Sequence, residues 1–283
     1  MTLDKPKALK YLVLFIVCLL LLFFGSTIMS IFLAGPLKSI TGYSSDTLNT
    51  ALDLLQNYFS NEPCKYDEMM TWNEYAVAFF EADPVLFKDI KVFFCALQFL
   101  SYVPLLILII YFLRQEFAED FKKFKKDAGK NIIYIIVGII GMYAASIIIT
   151  VIYEMIGISG ESSNESTINL LLDGPGVGLM VVAVVVLAPI VEEVIFRKLL
   201  FGTCETMGHF PPALTILISA LIFSLIHVTD GESLKYIFQY IALALPICIV
   251  YHMSGNNIYV TICMHIINNL ISVLVTMFIW EKV

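Results

Sequence analysis

The feature that most constrains this chain is a succession of apolar stretches, each about twenty residues long. A stretch of that length can cross roughly 30 Å of hydrocarbon as a helix. In lipid, only helices and closed barrels satisfy their own backbone hydrogen bonds. The stretches run over 11–34, 92–113, 132–157, 178–201, 212–229, 234–253 and 258–281. The expected fold is all-α, a polytopic membrane helical bundle with about seven to eight transmembrane helices. The additional helix would be an irregular segment within 160–180.

Composition agrees. The chain is 59% hydrophobic and 14% charged, against roughly 45–50% and 25% in soluble domains, and its mean hydropathy is +0.86. A net charge of −7, without a basic groove, speaks against nucleic acid as a partner. Five of the six cysteines lie in or beside apolar spans, so neither a disulfide framework nor a zinc finger is expected.

Lys5, Lys7 and Lys10 precede the first span. That span exceeds the roughly 7–15 residues of a signal-peptide core and reads as a retained anchor. A second basic cluster (Arg114, Lys122, Lys123, Lys125, Lys126, Lys130) follows two spans later. Lysine and arginine stay inside, so the N-terminus is expected in the cytoplasm, with the bacterial plasma membrane as the location. Phe117, Phe121 and Phe124 recur at helical spacing within that cluster. They suggest an amphipathic helix on the inner leaflet, with a plain charged loop as the alternative.

Two regions follow. Residues 1–170 hold the first three spans and an outward-facing acidic segment, 35–91. That segment is expected to form short helices that cover the membrane domain, with contact to a partner or substrate as the alternative. Residues 171–283 form the second region, in which polar side chains interrupt the oil.

Glu192, Glu193 and Arg197 lie in "VVVLAPIVEEVIFRKLL". A charge at the bilayer centre costs at least about 2.5–3.5 kcal/mol, so such residues find partners or serve a site. Glu193 and Arg197 are four apart and can pair. Glu192 is turned about 100° away and is left available. Phe223 and His227 share a face in "FSLIH", as do His265 and Asn269 in "HIINN". His209 and His252 border turns and read as interfacial. A carboxylate, two imidazoles and a carboxamide on three otherwise apolar spans are suited to activating water and stabilising an oxyanion.

These three segments resemble the EExxxR, FxxxH and HxxxN motifs of the CPBP family (CAAX-processing and bacteriocin-processing, or Abi, intramembrane proteases), in the same order. The resemblance covers roughly 175–280. It implies that Glu192 is the general base on a water that His227 helps to hold, and that His265 and Asn269 form the oxyanion hole. It also implies that Glu193 and Arg197 fix the helix while Phe223 packs beside His227 and keeps the site dry. No HExxH pair is present, and the expected mechanism is metal-free. A zinc held by Glu192, His227 and His265 is the alternative, since three protein ligands plus water make a catalytic zinc site.

The expected activity is endopeptidase cleavage near the cytoplasmic leaflet. The substrate would be a CAAX-type tail, a bacteriocin leader or a signalling peptide. The isoleucine-rich chain suggests a bacterium, and so peptide processing or bacteriocin immunity. A non-catalytic scaffold or immunity protein that keeps the family fold, and a transporter using a proton relay, are the competing classes. Span counting leaves one conflict: it sets His227 up to about 12 Å from the depth of Glu192. A deeper or strongly tilted fifth helix would remove it.

Overall fold

A computed structural model describes residues 5–207, 210–228 and 230–278. The chain is an all-α membrane bundle: six helices are long and apolar enough to cross a bilayer, which makes it an integral membrane protein. The helices are α1 (Lys5–Thr41), α2 (Ser45–Gln56), α3 (Trp72–Ala82), α4 (Pro84–Lys126) and α5 (Ala128–Met155). They continue with α6 (Ser163–Leu172), α7 (Val177–Thr206), α8 (Pro212–Leu225), α9 (Ile237–Met253) and α10 (Ile258–Phe278).

The fifth apolar stretch departs from expectation. Its helix, α8, has 14 residues, about 21 Å at 1.5 Å per residue, well short of the hydrocarbon thickness. The segment inside 160–180 forms the short helix α6. It is started by Ser162, whose hydroxyl accepts from the Glu165 amide.

The 35–91 segment caps one end of the bundle. Local sequence signals explain its joints. Thr71 and Glu74 form a reciprocal capping box that starts α3. Asp83 caps α4, with Pro84 in the first turn, where the missing N–H costs nothing. Between α2 and α3 runs a small antiparallel hairpin, β1 (Pro63–Cys64) with β2 (Asp67–Thr71). Leu54, Leu55, Ala76 and Phe80 of the cap share one buried cluster with Ile90 of α4, Leu171 of α6, Met180 of α7 and Val273 of α10. The segment therefore covers the membrane bundle.

The basic 114–131 segment is helical rather than a plain charged loop. It is largely the far end of α4, a 43-residue helix about 65 Å long. Phe117, Phe121 and Phe124 pack around Tyr259, with ring centroids 6.2, 5.4 and 6.2 Å away. The aromatic stripe thus packs on Tyr259, with Phe121 still partly exposed. Two polar ties hold this end of the bundle. Lys10 meets Glu116 at 2.8 Å, and buried Asp120 accepts from Lys198 at 2.6 Å.

At the centre lies α7: 61% of its apolar window is buried, against 17% for α1 and 11% for α5. Its entry turn needs Gly176, which has φ +97° and a Cβ position only 3.2 Å from Cys95. Two stretches of α7, Ala183–Leu187 and Val194–Phe201, are π-helical. Such wide turns are frequent at functional sites. All six cysteines are unpaired.

Candidate active site

Glu192 and Glu193 sit on the short α-helical turn Ala188–Glu193 between the two π segments. Both are buried, yet they face different partners. Oε1 of Glu193 lies 3.3 Å from Arg197 Nη1, and both side chains are fully enclosed. The guanidinium also stacks 4.4 Å from the Phe223 ring centroid. Its N–H groups meet no acceptor in hydrogen-bond geometry, so charge pairing and the aromatic face hold it.

Glu192 faces the imidazoles instead. Its Oε2 lies 3.9 Å from His227 Nε2 and 3.8 Å from His265 Nε2. The ring nitrogens on the far sides are occupied. His227 Nδ1 lies 2.8 Å from the Phe223 carbonyl. A carbonyl can only accept, so Nδ1 carries the proton and Nε2 presents a lone pair to the site. His265 Nδ1 donates to Glu193 Oε1 at 2.9 Å, which directs its Nε2 toward Glu192. His227 is further fixed between two rings, Phe223 at 4.6 Å and Tyr240 at 4.9 Å.

The conflict in depth is resolved by the shortness of α8. His227 lies just past its end, in a turn rather than in a full span. Glu193 also does more than pair along its helix. By accepting from His265 it joins the Arg197 pair to the second imidazole. Sequence spacing could not reveal this contact across 72 residues.

Asn269 lies near the other motif residues, but its amide is partly committed. Ala188 N–H reaches back five residues to Ala183 O. In the same register Val184 O would receive the N–H of residue 189, which is Pro189 and has none. Asn269 Nδ2 donates to that orphaned carbonyl at 3.0 Å, and Asn268 Nδ2 donates to Asn269 Oδ1 at 3.1 Å. One N–H of Asn269 remains for other use.

The side chains of Glu192, His227, His265 and Asn269 line a cavity of about 220 Å³ that reaches Asn164 and Glu165 of α6. Tyr102 and Gln98 of α4 complete the wall near Glu192. Neither residue stood out in the sequence, because a tyrosine or glutamine in an apolar span carries no motif. Of the remaining histidines, His252 ends α9, 6.4 Å from the Phe201 ring, and His209 lies outside the described residues. The Gly157-to-Gly160 turn closes α5, with both glycines at positive φ. It lies away from this cavity.

Two imidazole nitrogens and a carboxylate oxygen are the donor types zinc prefers, with the imidazoles oriented by groups behind them. Among the described residues, however, no group of three His, Cys, Asp or Glu side chains is arranged to hold a metal ion.

An intramembrane bundle with this polar constellation defines a class, and residues 174–271, which hold Glu192, His227, His265 and Asn269, match a known one. The matching family model is described as Rce1-like, type II CAAX prenyl endopeptidase. The matched residues are those whose motifs resemble the CPBP intramembrane proteases, and the likeness is confined to that part of the chain. Among curated proteins it is similar to YdiL of Bacillus subtilis (strain 168), named there as a candidate membrane peptidase. The two are 29% identical over 172 residues, covering 60% of this chain and 67% of that protein. No solved structure matches.

Proposed function

We propose that the chain is an endopeptidase that cleaves a peptide bond with a water activated by Glu192. The observation that carries this is the convergence of Glu192 Oε2 with the Nε2 atoms of His227 and His265, at 3.9 and 3.8 Å, on a cavity wall. That spacing is too long for direct hydrogen bonds and leaves room for a bridging water.

In the proposed step, Glu192 takes one proton from the water while the lone pair of His227 Nε2 accepts the other hydrogen. The water oxygen bonds to the scissile carbonyl carbon. His265, as an imidazolium supported by Glu193, and the remaining N–H of Asn269 donate to the oxyanion. Collapse breaks the C–N bond, and Glu192 returns its proton to the leaving nitrogen. Burial of the site by Phe223 and its neighbours strengthens each of these contacts. The step as proposed draws on side chains alone and routes nothing through a metal.

The substrate is a peptide or protein tail presented at the bilayer, and the N-terminus is cytoplasmic by the lysine distribution. The test is cleavage of a quenched-fluorescence peptide library by protein purified in detergent, wild type beside Glu192→Gln. Cleavage by both variants, or by neither, would count against this function.

A further inference from the structure

The cavity carries a second carboxylate that the chemistry above does not use. Glu165, in the first turn of α6, lines the same cavity as Glu192. Its neighbour Glu161 is fully engaged, accepting from Ser166 at 2.7 Å and Asn169 at 3.0 Å. The Glu165 carboxylate has no hydrogen bond or ion pair among the described residues, and the residue is exposed as well as lining the cavity. The helix that carries it is held in place. Tyr240 and Ser162 share a 2.5 Å hydrogen bond, the Ser163 amide donates to Ser233 Oγ at 3.0 Å, and Thr276 donates to Asn169 at 3.2 Å.

Among the described residues no lysine or arginine lines the cavity, and none occurs anywhere between residues 131 and 196. A tail that entered by its C-terminus would bring a free carboxylate into a chamber that already holds two. A cation would instead give Glu165 the partner it lacks, in surroundings where a charge-assisted hydrogen bond is strong.

Resting on the peptidase function above, we propose that Glu165 is the specificity-determining residue of this cavity and receives a cationic group of the substrate. That group is the ammonium or guanidinium of a Lys or Arg side chain, or a free α-amine. The preferred substrate is then an internal or N-terminal peptide segment with a positive charge near the cleaved bond.

The test uses the full chain in lipid nanodiscs, in a Glu192→Gln background so that bound peptide is not consumed. Fluorescence anisotropy follows peptides that differ only by Lys, Gln or Glu stepped along the sequence, each with a free or acetylated N-terminus. The lysine or free-amine peptide is expected to bind roughly tenfold or more tightly than its neutral counterpart. Adding Glu165→Gln abolishes the difference, and Glu165→Lys turns the preference toward the glutamate peptide, which misfolding could not produce. Equal binding of all peptides, absence of binding, or a preference that survives Glu165→Gln overturns the proposal. Cleavage by the wild type is scored separately. A cation preference in binding without cleavage supports the Glu165 site and counts against the peptidase function.

Discussion

Glu193 accepts a hydrogen bond from His265 Nδ1 at 2.9 Å while its carboxylate also faces Arg197. One fully buried anion therefore serves a helix staple and the orientation of an imidazole. Glu193→Gln would leave the enclosed guanidinium without a counter-charge, which costs about 3–5 kcal/mol for a buried pair broken on one side. The double change Glu193→Gln with Arg197→Met should recover most of that stability and none of the activity. Thermal unfolding in detergent, read beside peptide cleavage, separates the two effects.

Glu192→Gln is expected to fold with near-normal stability, because the side chain borders a cavity and lies too far from either imidazole for a direct hydrogen bond. Cleavage should fall by at least about a hundredfold, the lower end for loss of a general base. Retention of full activity would move the base elsewhere.

Asn269→Ala should cost about 1–3 kcal/mol, since it leaves the Val184 carbonyl buried without a donor. Pro189→Ala restores an N–H in the register that Val184 O lacks. The combination Pro189→Ala with Asn269→Ala should thus regain stability but stay inactive. If activity returns as well, Asn269 acts only as a support for the helix.

Glu165 predicts a dependence on pH. Burial, then the nearby charge of Glu161, raise its pKa above the ordinary value of 4.5. A carboxyl raised on folding favours the folded state at low pH, and that contribution is lost as pH rises through the folded value. Glu165→Gln should therefore raise the melting temperature at mildly alkaline pH. The gain should vanish below the ordinary carboxylate value, as checked by scanning fluorimetry at both ends.

A strong chelator is expected to leave peptide cleavage unchanged, because the mechanism proposed here uses only side chains. Loss of activity on chelation, restored by zinc, would instead assign Glu192, His227 and His265 as metal ligands.

The sequence by itself determined what depends on local composition. Runs of about twenty apolar residues must become helices in lipid, so the membrane bundle was legible, as was the Glu193–Arg197 pair. The motif residues were legible too, because charged and imidazole groups are rare in oil. What only the tertiary structure decided depends on contacts between distant segments and on departures from regular geometry. These include the short α8 that lifts His227 to Glu192 and the packing of the Phe117, Phe121 and Phe124 stripe on Tyr259. They also include the bond from Glu193 to His265 and the commitment of Asn269 to Val184 O. The last follows from a π-helical register that the sequence does not announce, since the same residues could form an α-helix until neighbouring helices pack against them.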